Sequence, residues 1–419
     1  RLWRLLSPSL AKKSSNFISY RDWWNGLLVP AKATPYVNTV QRRPKHANLV
    51  DRQPQRPVGG AWPGQLVGNH RPPLCGRSGH AGDGGPARRH LVCRAAPGAL
   101  WCQAAQKQRP GCPLGGGGLT GGAYHAGVLA ALAQSGWDAR RAAILQGTSI
   151  GAITAASLAA GMPPTDMYRR HLGEPLSAEA AALLARIAQH TRESNAELAG
   201  SLRPASPELF GAMVRNPADF HPGKMAAALL PDGRMSTESI AHSMDQLCDG
   251  VWPSSRLRIT AVRLRDGATV VFGRPGSAIP PIGQAVAASC AIPGYFAPVT
   301  IGDQRYVDGG TTSVCNADAV MHDQLDVAVV SAPMAIHSGV HLAPDTPWRR
   351  VVRAQVDREV TKLRTAGVQV FLFAPTSTDI SAMGPNPMAA GRERAVARAS
   401  YDSAAARIAA DARLRQLGR

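Results

Sequence analysis

"AAILQGTSIGAITAASLAAG", residues 142–161, passes from an apolar, strand-like run into an alanine-rich, helix-like one with a serine at the joint. Gly147-Thr148-Ser149-Ile150-Gly151 fits G-x-S-x-G, where small residues two places either side of a serine let a strand turn sharply into a helix and leave the hydroxyl exposed. The spacing alone is more often a tight turn than a nucleophile, because glycine and serine are frequent. The setting favours the elbow: "AAILQ" reads as strand and "AITAASLAA" as helix. Free N–H groups and the positive dipole end at such a helix start favour negative charge beside Ser149.

A serine hydroxyl is a poor nucleophile until a neighbouring base takes its proton. His322, His337 and His341 follow Ser149 in the chain order of an α/β-hydrolase, but none has a distinctive setting. Asp308, in "QRYVDGGTT", ends a strand-like run, and Gly309 and Gly310 let the backbone turn beside it. A carboxylate in water, with a pKa of about 3.9, is too weak for the task; partial burial would raise it and make a Ser-Asp dyad workable. Taken alone, Asp-Gly-Gly is also a turn.

Upstream, "LGGGGLTGGAYHAGV" at 114–128 places consecutive glycines before a helix, a pattern whose bare N–H groups can cradle a phosphate or an oxyanion. Gly116, Gly118 and Gly121 match the dinucleotide pattern G-x-G-x-x-G. That reading fails on its surroundings: Asp138 sits before the next strand instead of closing it, and "RPGCPLG" offers at best a short strand ahead of the glycines. Tyr124 and His125 read as packing or rim residues, and Cys290 as a small buried apolar one.

Strand-like and helix-like segments alternate from Leu114 onward, which argues for an α/β architecture. The patterns predict helices near 123–135, 281–290, 347–365 and 385–415, and strands near 142–147, 298–301, 304–308, 325–332 and 368–375. "RLRITAVRLRDGATVVFG" predicts a hairpin about Asp266-Gly267. Residues 172–250 break the rhythm and read as a helical cap or lid, with Met213, Met225, Leu229 and Leu230 as candidates for an acyl groove.

Four stretches in one order, "GGGGLTGGAYHAGVL", "GTSIGAI", "AASCAIPGYFAPV" and "YVDGG", resemble the patatin-like phospholipase family over about residues 113–415, with 172–250 divergent. The resemblance implies a three-layer α/β/α fold with a mostly parallel central sheet, and a lipid acyl hydrolase working by a dyad without metal or organic cofactor. By it, Ser149 is the nucleophile, Asp308 the base, and the backbone amides of Gly116, Gly117 and Gly118 the oxyanion hole. Gly121, Gly147, Gly151, Gly309 and Gly310 support the motifs. The family loop usually carries Arg or Lys where this chain has Thr120. A histidine-dependent esterase and an inactive lipid-binding protein are the competing readings.

The formal net charge of +19 belongs to the front of the chain: residues 1–114 hold 18 of the 47 basic residues against Asp22, Asp51 and Asp83. Nothing in 1–112 resembles the family. This segment, without glutamate and without sustained periodicity, reads as largely disordered despite Trp3, Trp23, Trp24, Trp62 and Trp101. It suits a transit peptide, a tail for anionic membrane, or sequence preceding the protein's start. The body is nearly balanced, so no nucleic-acid partner is expected. Cys75, Cys93, Cys102, Cys112, Cys248, Cys290 and Cys315 form neither a zinc pattern nor a disulfide framework. With no apolar run of about 20 residues and no secretory h-region, a cytoplasmic or peripheral membrane protein is expected.

Overall fold

The computed structural model describes residues 108–188, 198, 203–277, 279–338 and 346–417. The basic front segment and its expected disorder, like His341, lie outside them. Strand β1 (Pro110–Leu114) leads into helix α1 (Gly118–Gln134), and β2 (Ile144–Thr148) into α2 (Ile150–Ala159). Helices α3 (Pro164–Leu172), α4 (Ala178–Ala188), α5 (Pro207–Arg215), α6 (Pro222–Leu229) and α7 (Glu238–Leu247) precede the hairpin of β3 (Leu257–Arg263) and β4 (Thr269–Phe272). Then come α8 (Ile282–Ser289), β5 (Val299–Ile301), β6 (Gln304–Asp308), β7 (Val327–Ser331), α9 (Thr346–Thr365), β8 (Gln369–Phe373), α10 (Ser377–Met383), α11 (Glu393–Ala410) and α12 (Ala412–Gln416).

The strands form one sheet in the order β5-β6-β3-β2-β1-β7-β8, with β4 also paired to β3. From β3 to β8 every neighbour is parallel, while β4, β5 and β6 join antiparallel at one side. Parallel strands need cover on both faces, and that is why β2 and β7 are buried throughout. On one face Cys112, Leu114, Leu145, Ile259 and Val329 pack with residues of α1, α2, α7, α8 and α11. On the other, Ile144, Ala328, Val330 and Val370 meet Val352, Val356 and Val360 of α9. The result is the expected α/β/α fold with a mostly parallel central sheet. Helices α5 and α6 make a smaller cluster on the antiparallel side, where Leu209, Met213, Ala227 and Ala228 pack on Val262, Leu264 and Val307.

Two expectations need correction. The chain ahead of the glycines is a true strand in the middle of the sheet, although Gly111 and Pro113 hide it from any propensity argument. The β1–β7 register runs through Pro110, Gly111 and Leu114 and omits Cys112 and Pro113, as suits a residue with no N–H to give. At Gly111 a Cβ would lie 2.3 Å from Leu325 Cδ1, so Leu325 would have to shift to admit a side chain there. The dinucleotide reading still fails, because β2 is followed by Ser149 where a ribose-binding acid would stand. The second correction is at the C-terminal end. In place of one helix over 385–415, α10 comes first, a loop follows, and α11 starts at Glu393. Gly384 and Gly391, at φ 67° and 83°, bracket Pro385 and Pro387 and keep that loop out of helix.

Candidate active site

Ser149 stands between β2 and α2 with φ 55° and ψ −125°, a backbone conformation that costs a non-glycine residue about 1–3 kcal/mol. The turn is held by close approach. A Cβ on Gly147 would lie 2.3 Å from the Gly151 carbonyl oxygen, and one on Gly151 would lie 2.1 Å from that of Leu114. Only glycine fits at either place. The Ser149 N–H donates to Ser289 Oγ at 2.9 Å, and Ser289 Oγ donates to Thr260 O at 2.6 Å. These two bonds tie the elbow to α8 and β3.

Asp308 ends β6 opposite Ala261 of β3, and its N–H donates to Ala291 O at 2.9 Å. Its Oδ1 accepts from the Gly310 N–H at 2.7 Å, and the Ser149 side chain acts on the carboxyl from the same cavity. Burial pushes the carboxyl up from 3.8 to about 7, against the opposing pull of the Gly310 N–H and the Ser149 side chain. A carboxyl that keeps its proton to about 7 instead of 3.8 reflects roughly 4 kcal/mol of discrimination against the charged form. Asp308 is thereby poised near neutrality, the condition for an efficient general base.

A polar network behind the pair sets their separation. Thr148 Oγ1 and Thr260 Oγ1 are 2.7 Å apart, and Asn316 Nδ2 donates to Thr148 Oγ1 and to Gly309 O, each at 3.2 Å. Asn316 therefore joins the strand before Ser149 to the turn after Asp308. Glu359, buried on α9, accepts from the Ala317 N–H at 2.7 Å and bonds the Ser313 hydroxyl. Burial pushes its carboxyl up to about 7 as well.

The glycine loop joins β1 to α1. Gly115 N–H donates to Ser331 O at 2.9 Å, and Gly116 N–H to Val314 O at 2.7 Å. Gly116 therefore forms wall at the site, its amide already engaged. The N–H groups of Gly117, the N-cap, and Gly118, the first residue of α1, are not spent in this way. Gly118 has φ 59°, and a Cβ there would meet the Pro387 carbonyl oxygen at 2.7 Å. Neither α1 nor α2 carries an acid in its first turn, so both positive dipole ends remain uncompensated at the site.

His125 anchors this loop from within the core. It is fully buried, with Nε2 2.8 Å from Gly115 O and Nδ1 2.8 Å from Ser331 Oγ. A carbonyl oxygen only accepts, so Nε2 carries the proton and Nδ1 accepts from the Ser331 hydroxyl. Burial lowers the ring to about 4, which keeps it neutral in this role. Thr120 is buried as well, with its N–H and Oγ1 on Pro387 O at 3.1 and 3.4 Å.

Gly116, Gly117, Gly118, Ser149, Asp308 and Gly310 line one cavity of about 360 Å³, closed on its other sides by Leu230, Ile292, Met334, Pro387 and Met388. Asp308 is its one ionisable lining residue. Gly121, Gly147, Gly151 and Gly309 stand behind the wall as packing positions. Of the four groove candidates Leu230 alone reaches the cavity; Met213 is core, Met225 packs beside it, and Leu229 is exposed. His322 and His337 are exposed and do not line it. Cys290, beside Ser149 and Asp308, is buried with its thiol pushed well up, first by burial and then by Asp308, and so stays protonated. Among the described residues no group of three or more His, Cys, Asp or Glu could hold a metal ion. No described helix is long and apolar enough to cross a membrane.

Ser289, Asn316, Glu359 and the Pro387-Met388 loop escaped the sequence reading. Ser289 does sit within the quoted "AASCAIPG", so a signal for it existed; the others bear on the site only through folding.

A family model described as patatin-like phospholipase matches residues 114–321. Comparison with curated proteins finds no match. Among solved structures the chain is similar to VipD from Legionella pneumophila, at 13% identity and TM-score 0.34 over 72% of this chain and 67% of that one. It is also similar to the type III effector protein ExoU, at 15% identity and TM-score 0.29 over 74% of this chain and 53% of that one. Overlaps this loose bear on neither fold nor activity.

Proposed function

Because residues 114–321 belong to the patatin-like phospholipase family, we propose that this protein is a lipid acyl hydrolase that cleaves a carboxylic ester through an acyl-enzyme on Ser149. The observation that carries the reading is the pairing in one cavity of a serine in a strained turn at a helix start with a buried carboxyl poised near neutrality. Asp308 accepts the Ser149 proton as Oγ attacks the ester carbonyl. The oxyanion is held by the Gly117 and Gly118 amides at the start of α1, aided by the two helix dipoles. Asp308 returns the proton to the leaving alkoxide. Water then gives a proton to Asp308 as it attacks the acyl carbonyl, and as the intermediate collapses Asp308 returns that proton to Ser149 Oγ and the carboxylic acid is freed.

An apolar lining with no cation suits an acyl chain better than a head-group phosphate. With Thr120 buried, head-group charge has no partner at that position. The rim supports approach to a lipid aggregate. Leu230 and Ile292 line the cavity yet are 42% and 36% exposed, and Phe210, Val214, Phe220 and Leu229 are exposed on or beside α5 and α6.

The test is labelling with a fluorophosphonate alongside turnover of a p-nitrophenyl acyl ester. Wild type should be labelled at Ser149; Ser149→Ala should lose label and turnover, and Asp308→Asn should lose roughly a thousandfold in kcat. Full activity in Ser149→Ala would overturn the mechanism.

A further inference from the structure

Against α2, the helix that follows Ser149, lies a second cavity of about 70 Å³. Its walls are Ile150, Ile153 and Ser157 of α2, apolar residues of α4 and α7, and Met167 and Arg170 of α3. A chamber of about 20 Å³ stands between the two cavities. It shares Gly118, Ser149, Ile292 and Met388 with the catalytic cavity, and Ile150 and Ile153 with the rear one. At about 10–15 Å³ per water-sized group, the chamber holds about one such group and the rear cavity about five. Ile150 and Ile153 of α2 thus border both the chamber and the rear cavity.

The ionisable groups of the rear cavity are confined to Arg170 and His171. Arg170 Nη2 is buried without a hydrogen-bond partner, and no carboxylate among the described residues pairs with the guanidinium. Burial lowers Arg170 to about 9, so it remains charged near neutrality. His171, lowered to about 3 by burial and then by the Arg170 charge, is neutral. A hydrocarbon chain that reached a guanidinium whose buried Nη2 has no partner among the described residues would strip its remaining water and offer nothing in return, a strongly unfavourable exchange.

We propose that the rear cavity receives the hydrocarbon chain of the acyl group, that Ile153 forms its neck, and that Arg170 sets the longest chain accepted. The inference rests on the acyl-enzyme reading above. From Ser149 to the level of Ser157 the helix rises about 12 Å, the length of an extended chain of roughly ten carbons. Medium-chain esters are thus the substrate class, with Ile153 and Arg170 as specificity-determining residues.

The experiment is a profile of kcat/KM for p-nitrophenyl esters from two to sixteen acyl carbons, on wild type, Ile153→Phe, Ile153→Ala, Arg170→Met and Ser149→Ala. Wild type should peak near eight to ten carbons and fall roughly tenfold or more by fourteen. Ile153→Phe should move the optimum to four carbons or fewer while two-carbon turnover stays within about threefold. Arg170→Met should raise the ratio of fourteen- to ten-carbon turnover roughly fivefold or more, and Ile153→Ala should relax the neck in the same direction. A profile unchanged in Ile153→Phe and Arg170→Met, with two-carbon turnover intact and abolished by Ser149→Ala, overturns this inference and leaves the acyl-enzyme standing. Turnover that survives in Ser149→Ala overturns the acyl-enzyme instead.

Discussion

Under the proposed mechanism one group, Asp308, carries both chemistry and stability, and the two respond oppositely to pH. As a base it must be ionised, so kcat/KM should fall tenfold per pH unit below about 7 and level off above it. The folded carboxyl is raised from 3.8 to about 7, so between those values the native state holds a proton the unfolded chain has lost. Stability from this group therefore declines as pH rises through that window. Asp308→Asn keeps an acceptor for the Gly310 N–H and removes the buried charge. Calorimetry should find its melting temperature above that of wild type at pH 8 and the difference shrinking by pH 4. Glu359 contributes a slope of the same sign, so some pH dependence remains in the variant.

At the scale of elements, the site is the meeting of two helix starts, and each is set by a different device. The start of α2 was legible, because glycines two places either side of a serine answer to local sterics. The start of α1 depends on His125, which sits about two turns into that helix and reaches back to Gly115 O. His125→Ala should strand Gly115 O and the Ser331 hydroxyl, at about 1–3 kcal/mol for each buried group left unpaired. If His125 positions the oxyanion amides, kcat should fall with KM little changed, and His125→Gln, which restores a donor, should recover part of it. A purely structural role would lower the melting temperature in both variants with kcat intact in the folded fraction. Strand β1 shows the limit of local pattern: two prolines and a glycine lie within its five residues, and its place between β2 and β7 comes from pairing with distant strands.

For the molecule as a whole, the exposed apolar residues of α5 and α6 cluster on the elements that supply Leu230 to the mouth. Phe210→Ser with Phe220→Ser should weaken co-sedimentation with phosphatidylcholine vesicles several-fold while leaving turnover of a dissolved two-carbon ester unchanged. Equal vesicle binding in variant and wild type would remove the rim from the account. The amino-acid sequence alone determined the elbow at Ser149, the turn after Asp308, the hairpin at Asp266-Gly267 and the alternation that makes an α/β sheet. All of these are local: glycine sterics, apolar period and turn chemistry act over a few residues. The tertiary structure alone decided that Gly116 spends its amide on Val314, that Asp308 is buried with its carboxyl raised to about 7, and that Pro387 and Met388 line the cavity. Each depends on segments far apart in the chain, whose desolvation and hydrogen-bond partners exist only once the sheet has brought them together.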